Sequence, residues 1–146
     1  MWFIYAFSAA VIWGVSYAAS GRVIERGMSP LMFFFFYAAF ATVAAALAIS
    51  LTGKIGQIAH EVRVLETDWP WLAVAVITSA AGALLIYMAI GEKNATVASL
   101  IEISYPLFVA FFAWLFFRET QFNMATIIGA VLILTGVGVV YLGNRH

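Results

Sequence analysis

The sequence predicts an all-α integral membrane protein with five transmembrane helices, and three observations predict it. Hydrophobic residues make up 65% of the chain and charged residues 10%, against roughly 45–50% and about 25% in soluble domains. A soluble fold of 146 residues has too little interior to hide that much apolar surface, whereas a lipid solvent removes the problem. The charges are also segregated. Uncharged runs cover Met1–Gly21, Gly27–Gly53, Trp69–Gly91, Asn94–Phe117 (broken by Glu102 alone) and Thr120–Asn144. Each reaches the roughly 20 residues that a bilayer-crossing helix needs. None alternates apolar and polar residues as a barrel strand must.

The spans are expected at about 2–21, 30–52, 70–91, 95–117 and 122–142 of a single transmembrane domain, 1–146. The first has no basic n-region and exceeds the roughly 7–15-residue apolar core of a signal peptide, so it is expected to remain in the mature protein. Ser29-Pro30 opens the second as an N-cap followed by proline at the first helical position. Asp68 and Pro70 mark the third start in the same way, and Asn94 can cap the fourth. Gly53, Gly91 and Gly143 suit helix C-termini. Loops one, three and four are short, so sequential spans should be antiparallel neighbours. In the longer second loop, IGQIAHEVRVLE sets Ile55, Ile58, Ala59, Val62 and Leu65 at helical spacing, the pattern of a short helix lying in the membrane interface.

The formal net charge is zero, which gives no footprint for nucleic acid. Without cysteine there is no disulfide or thiol chemistry. The sequence has no HExxH, GxSxG or P-loop pattern. His60 and His146 stand alone, so no metal site is expected, and no motif calls for a cofactor. GVG at 136–138 lacks the third glycine of a dinucleotide fingerprint. Asn94-Ala95-Thr96 matches a glycosylation sequon but falls at a helix cap in a very short loop. An odd number of spans puts Lys54, Arg63 and Arg118 on the N-terminal side and Arg22, Arg26, Lys93 and Arg145 on the other. That is almost no bias under the positive-inside rule. Either a weak signal sets one orientation, or copies insert both ways up and pair antiparallel.

Glu102 is the acid or base standing well inside a span. It lies eight residues past Asn94, roughly 12 Å along a helix. A charge there costs at least about 2.5–3.5 kcal/mol, so it should face the bundle interior or a wet cavity. Pro106 has no N–H and cannot bond the carbonyl four residues back, which is that of Glu102. The freed carbonyl and the carboxyl therefore gather polarity at one level, which lipid does not tolerate unless protein or water satisfies it. Ser99, Glu102, Pro106 and Ala110 share one face, extended by Thr96 and Ala113, with Tyr105 adjacent. Glu102 is either a structural carboxyl, neutral and bonded to a neighbouring helix, or a proton or cation site in which cation binding expels the proton. In a dimer, two copies brought close would titrate as a pair.

The first span carries Tyr5, Ser8, Ile12, Ser16 and Ala19 at helical spacing, with Trp13, Tyr17 and Ser20 beside them. Tyr and Trp walls suit organic or cationic ligands through cation–π contact; equally, small residues pack helices and aromatics mark interfaces. Tyr5 reads as interfacial. Trp13, Ser16 and Tyr17, deeper in the span, are open to both readings, as are Tyr87 and Tyr105. The last span carries Gly129, Gly136 and Gly143 at sevenfold spacing, with Gly138 nearby, which reads as a helix-packing seam or a dimer seam. The four phenylalanines Phe33–Phe36 encircle their helix and should meet both lipid and neighbours.

Three stretches carry a resemblance: IWGVSYAASGRVIERGMSPLMFFFFYAAF, ATVASLIEISYPLFVAFFAWLFFRE and ATIIGAVLILTGVGVVYL. In this order they resemble one EamA-type repeat of the drug/metabolite transporter superfamily, over nearly the whole chain. The resemblance implies small-molecule transport rather than catalysis, usually across the bacterial or archaeal inner membrane. Typical members carry two such repeats in opposite orientation, so a single repeat implies a homodimer in the bilayer, in keeping with the weak charge bias. Glu102 departs from the repeat, where that position is usually uncharged, which leaves its role to its own chemistry. Glu119, beside Arg118 at a helix end, reads as a structural or gating residue at the membrane edge. The expected function is thus a dimeric secondary transporter of small organic solutes, proton-coupled through Glu102. The alternative is a non-transporting membrane subunit or assembly partner.

Overall fold

A computed structural model of the chain describes residues 1–120 and 123–145. Among them the backbone is helix and turn, without a strand. The helices are α1 (Trp2–Glu25), α2 (Pro30–Leu51), α3 (Ile58–Val64), α4 (Trp69–Glu92), α5 (Ala95–Glu102), α6 (Tyr105–Phe117) and α7 (Met124–Gly143), with a 3-10 turn at Ile55–Gln57 leading into α3. Taking α5 and α6 as one crossing, the described residues hold five segments long and apolar enough to span a membrane. The expected start of the fifth span at residue 122 lies outside the described residues, as does His146.

The helix ends follow their sequence chemistry, with one exception. Ser29 Oγ accepts from the Met32 N–H at 3.2 Å ahead of Pro30. Asn94 Oδ1 accepts from Val97 N–H at 2.8 Å, and Asn123 caps α7 the same way through Thr126. Asp68 occupies the N-cap of α4 but makes no side-chain capping bond, so Pro70 alone of the expected pair shapes that start. Arg118 ends α6 in the left-handed region at φ 58°, and the Glu119 N–H closes back on the Ala113 carbonyl at 3.3 Å. The Arg118 guanidinium lies 5.7 Å from the centre of the Trp114 ring.

The spans alternate in direction. Trp71, at the start of α4, packs on Phe116 and Phe117 at the end of α6. At the other end, Gly91 of α4 meets Pro30 of α2 and Ile24 of α1. α4 is the central element, packed on α1, α2 and α5, while α7 rests against α5. The core buried by the chain itself is small: Ser20 and Gly21 of α1, Ile86, Tyr87 and Ile90 of α4, and Ala98 of α5. All of these lie toward the end where α1 finishes and α5 begins.

Glycine permits that convergence at two places. A Cβ built on Gly21 would stand 3.1 Å from Ala95 Cβ, and one on Gly91 would stand 3.0 Å from Pro30 Cγ. The sequence marks Gly91 as a helix-end glycine, but its role is this close approach inside α4. The seam expected in the last span is not a packing seam within the chain. Cβ atoms built on Gly129, Gly136 and Gly143 would meet nothing within 4 Å. The half-buried side of α7 instead runs through Ala130, Ile133, Val137 and Val140, at spacings of three, four and three. Gly136 and Gly143 are exposed and Gly129 half-buried, so the three glycines do not form one packed face.

Candidate functional site

The fourth crossing is interrupted at the level the sequence marks. α5 stops at Glu102 and α6 starts at Tyr105, with Pro106 in its first turn. Ile103 and Ser104 keep right-handed helical dihedrals, so the break is a tightening of the helix and not a reversal. Ser104 N–H bonds the Ile101 carbonyl at 3.2 Å and Leu107 N–H bonds the Ser104 carbonyl at 3.1 Å. Both are three-residue bonds replacing the usual four-residue ones, and Pro106 has no N–H to offer Glu102.

The Glu102 side chain is half-buried and points to α1. The Tyr17 hydroxyl donates to Glu102 Oε1 at 3.0 Å. The two residues meet because the helices are antiparallel. Tyr17 lies eight residues before the end of α1, and Glu102 lies eight residues after the cap of α5. Each is therefore roughly 12 Å from the same end of the bundle. Tyr37, eight residues past Ser29, reaches that level from α2.

An aromatic wall continues from this pair. Trp13 stacks obliquely on Tyr17 with ring centres 5.4 Å apart and lies 6.5 Å from Tyr37. Tyr37 is 5.9 Å from Tyr87, which also takes the edge of Phe33 at 4.7 Å. Tyr87 is 0% exposed, and its hydroxyl makes no hydrogen bond of good geometry among the described residues, although the Ser16 side chain stands close enough to interact with it. Ser16, Tyr37 and Glu102 are the polar groups in its neighbourhood. Ser20, also fully buried, turns its hydroxyl back to the Tyr17 carbonyl at 3.0 Å and so braces the turn that carries Tyr17.

Of the residues singled out from sequence, Glu102, Tyr17, Trp13 and Ser16 come together. Ser99 is half-buried but bonds its own helix at the Thr96 carbonyl. Pro106 is exposed, and Tyr105 is 61% exposed, directed away from the wall. On α1 the inward side runs through Tyr17, Ser20, Gly21 and Ile24 while Tyr5 is exposed, so the stripe headed by Tyr5 yields to its neighbour. Tyr37 was not marked by sequence reasoning. Its signal was there: a phenolic donor placed in mid-span, one turn after Phe33, in a run that otherwise carries no side-chain donor until Thr42.

Two clefts lie at the ends of the bundle. One of about 410 Å³ is lined by Leu65, Asp68, Trp71, Leu72 and Phe117. The other, of about 200 Å³, lies between α4, α5 and α7 and includes Lys93 and Tyr141. Neither contains Glu102. Its place at the helix break, paired across to another span, makes the Glu102 level the stronger functional candidate.

The arrangement is a bilayer bundle with a broken fourth helix and a single interior carboxyl. The EamA-like transporter family matches residues 1–142. The chain belongs to that family. The match covers nearly all of the chain, and with the five apolar segments it makes this an integral membrane protein of the EamA-like class. The family suggests transport of small solutes and is generally not one of enzymes. No curated protein and no solved structure matches the chain significantly.

Proposed function

We propose that this EamA-like chain is one protomer of a homodimeric secondary transporter for small organic solutes, in the inner membrane of a prokaryote, with Glu102 as its proton carrier. The observation that supports it most is the Tyr17–Glu102 hydrogen bond at a helix break. A carboxyl in apolar surroundings is held where it can exchange a proton for another partner, and the tyrosine orients it. An intramembrane ionisable residue facing a neighbouring helix is the expected mark of a relay or substrate path.

Dimerisation is supported by what the five helices leave uncovered. Trp13, stacked on Tyr17, is 39% exposed and Glu102 is half-buried, so the five helices do not enclose the site by themselves. A second five-helix unit facing it would close the site. The near balance of positive charge between the two membrane sides permits an antiparallel partner, with alternating access arising as one protomer rocks on the other.

The test is uptake into proteoliposomes under an imposed proton gradient. Wild type is expected to accumulate solute with the gradient, and Glu102→Gln and Glu102→Ala are expected to lose that coupling. Coupled uptake unchanged in both variants refutes the role of Glu102. No solute flux from wild type reconstituted alone, with stable co-purification of another protein, supports a membrane subunit or assembly partner instead.

A further inference from the structure

The two ends of the bundle differ in charge. The end where α1 finishes carries Arg22, Arg26, Lys93 and Arg145 against Glu25 and Glu92. The opposite end carries Lys54, Arg63 and Arg118 against Glu61, Glu66, Asp68 and Glu119. A chain of zero formal net charge is therefore polarised, basic at its packed end and slightly acidic at the other.

The cleft of about 200 Å³ between α4, α5 and α7 lies at the basic end. Its rim is polar. Lys93 follows the last residue of α4, and Asn144 follows the last residue of α7. The Asn144 amide donates to the Val140 carbonyl at 2.9 Å, which holds it at the end of α7. The Arg145 guanidinium lies 5.4 Å from the centre of the Tyr141 ring, and Tyr141 lines the cleft. Two cations and an amide thus stand at one rim. The remaining lining, Ala89, Val97, Ala98 and Ile101, is apolar. Ile101 lies seven residues past the Asn94 cap, roughly 10 Å deeper along α5. Ala89 and Ile101 remain exposed, so surrounding lipid has access to this floor.

Occupants differ in how well they fit. A cation is repelled by Lys93 and Arg145. A free inorganic anion satisfies the rim but leaves the apolar floor uncovered. A phospholipid with one anionic phosphate satisfies both, because charge-assisted hydrogen bonds hold the phosphate oxygens while an acyl chain covers the floor. Basic pockets between transmembrane helices suit such headgroups. The larger cleft at the other end gives the contrast: the charged side chain in its lining is Asp68, an acid.

We propose that the α4–α5–α7 cleft is a binding site for an anionic phospholipid, with the phosphate at Lys93, Asn144 and Arg145 and an acyl chain on Ala89, Val97 and Ile101. α7 packs on α5, so a lipid wedged between α7 and α4 ties the last helix to the central one. The cleft includes neither Glu102 nor Tyr17, and the site stands whether or not the transport reading does.

Native mass spectrometry of the purified full-length protein, released from neutral detergent, reads the lipid that stays bound. The probes are dioleoylphosphatidylglycerol and dioleoylphosphatidylcholine, which share their chains and differ in headgroup charge. The anionic lipid should bind at least tenfold more tightly. Lys93→Gln or Arg145→Gln alone should lose about fivefold, and the double variant about thirtyfold. Lys54→Gln combined with Arg63→Gln, at the other end, should bind as wild type does. Ala89→Phe keeps both cations and fills the floor, and should lose at least fivefold. Glycerol 3-phosphate, a phosphate ester without chains, should not displace the lipid at hundredfold excess. Equal binding of the two lipids overturns the proposal, as does an equal loss in the two double variants. Unchanged binding in Ala89→Phe puts the lipid outside the cleft, and displacement by glycerol 3-phosphate makes the ligand a free phosphate ester; either result also overturns it. Should Ala89→Phe not purify as a folded species, the variants at the exposed Lys93 and Arg145 and the competition decide.

Discussion

Gly21→Val tests whether the close approach of α1 to α5 sets up the candidate site. The first carbon added at Gly21 would stand 3.1 Å from Ala95 Cβ, where an ordinary carbon contact is about 3.5–4.0 Å. Neither atom can swing aside, because both are fixed directly to helix backbone. The two helices must therefore separate by at least several tenths of an ångström, and valine's extra methyls push further. Tyr17 is one turn along α1, and its bond to Glu102 at 3.0 Å has little room before it passes the useful range. Overpacking of this kind costs about 1–3 kcal/mol, offset in part by less than about 1 kcal/mol from removing a helical glycine. A net loss of about 1–2 kcal/mol is expected in SDS-titration unfolding of the protein in mixed micelles. Gly82→Ala in α4 is the control. A Cβ there meets nothing within 4 Å, so its stability should be unchanged or slightly higher. A Gly21→Val variant as stable as wild type, or a Gly82→Ala variant equally damaged, would refute the reasoning.

Two further outcomes are expected. Tyr87→Phe removes a buried hydroxyl that makes no hydrogen bond of good geometry among the described residues, and an unsatisfied polar group of this kind costs about 1–3 kcal/mol. The variant should therefore unfold at the same or a higher SDS fraction than wild type, and a clear loss would show that the hydroxyl is bonded in the membrane. Because the chain has no cysteine, single cysteines report access cleanly. Ser16→Cys, half-buried beside the aromatic wall, should react with a membrane-impermeant maleimide in permeabilised vesicles, and Ser20→Cys, fully buried, should not. Equal labelling of the two would contradict the packing described for α1.

Much of this architecture is legible in the sequence because lipid imposes a few strong rules. Charges at span ends and caps such as Ser29 and Asn94 locate the helices, and a proline four residues past an acid locates the break in the fourth. The level of the site is legible too. Tyr17, Tyr37 and Glu102 are each eight residues from ends that antiparallel packing brings to one side. What the sequence leaves open is rotation about each helix axis. The spans are apolar all round, so little distinguishes a side facing lipid from a side facing protein. The Tyr5–Ser8–Ile12 stripe and its neighbour were therefore both plausible, and the structure selects the neighbour because Gly21 permits contact with Ala95 there. Rotation is also why the glycines of α7 mislead. Small residues license a close approach without requiring one, and Ile133, Val137 and Val140 are half-buried on the helix that packs on α5.

The positions of these contacts bear on how the site is reached. The buried residues, from Ser20 and Gly21 to Ile90 and Ala98, all lie between the Glu102 level and the end where α1, α4 and α5 converge. Gly21 against Ala95 and Gly91 against Pro30 bring helices into close contact there. Toward the opposite end the chain buries almost nothing of itself, and the first residues of α1 are largely exposed. Glu102 thus stands at the boundary between the half of the bundle that the chain packs against itself and the half that it leaves exposed, with the helix break at that boundary. Under the transport reading proposed above, opening toward the packed end requires the Gly21–Ala95 and Gly91–Pro30 contacts to part. Those close approaches sit beside the buried Ile86, Tyr87 and Ile90, so parting them also exposes large side chains, and that core rather than the small groups sets the cost of opening there.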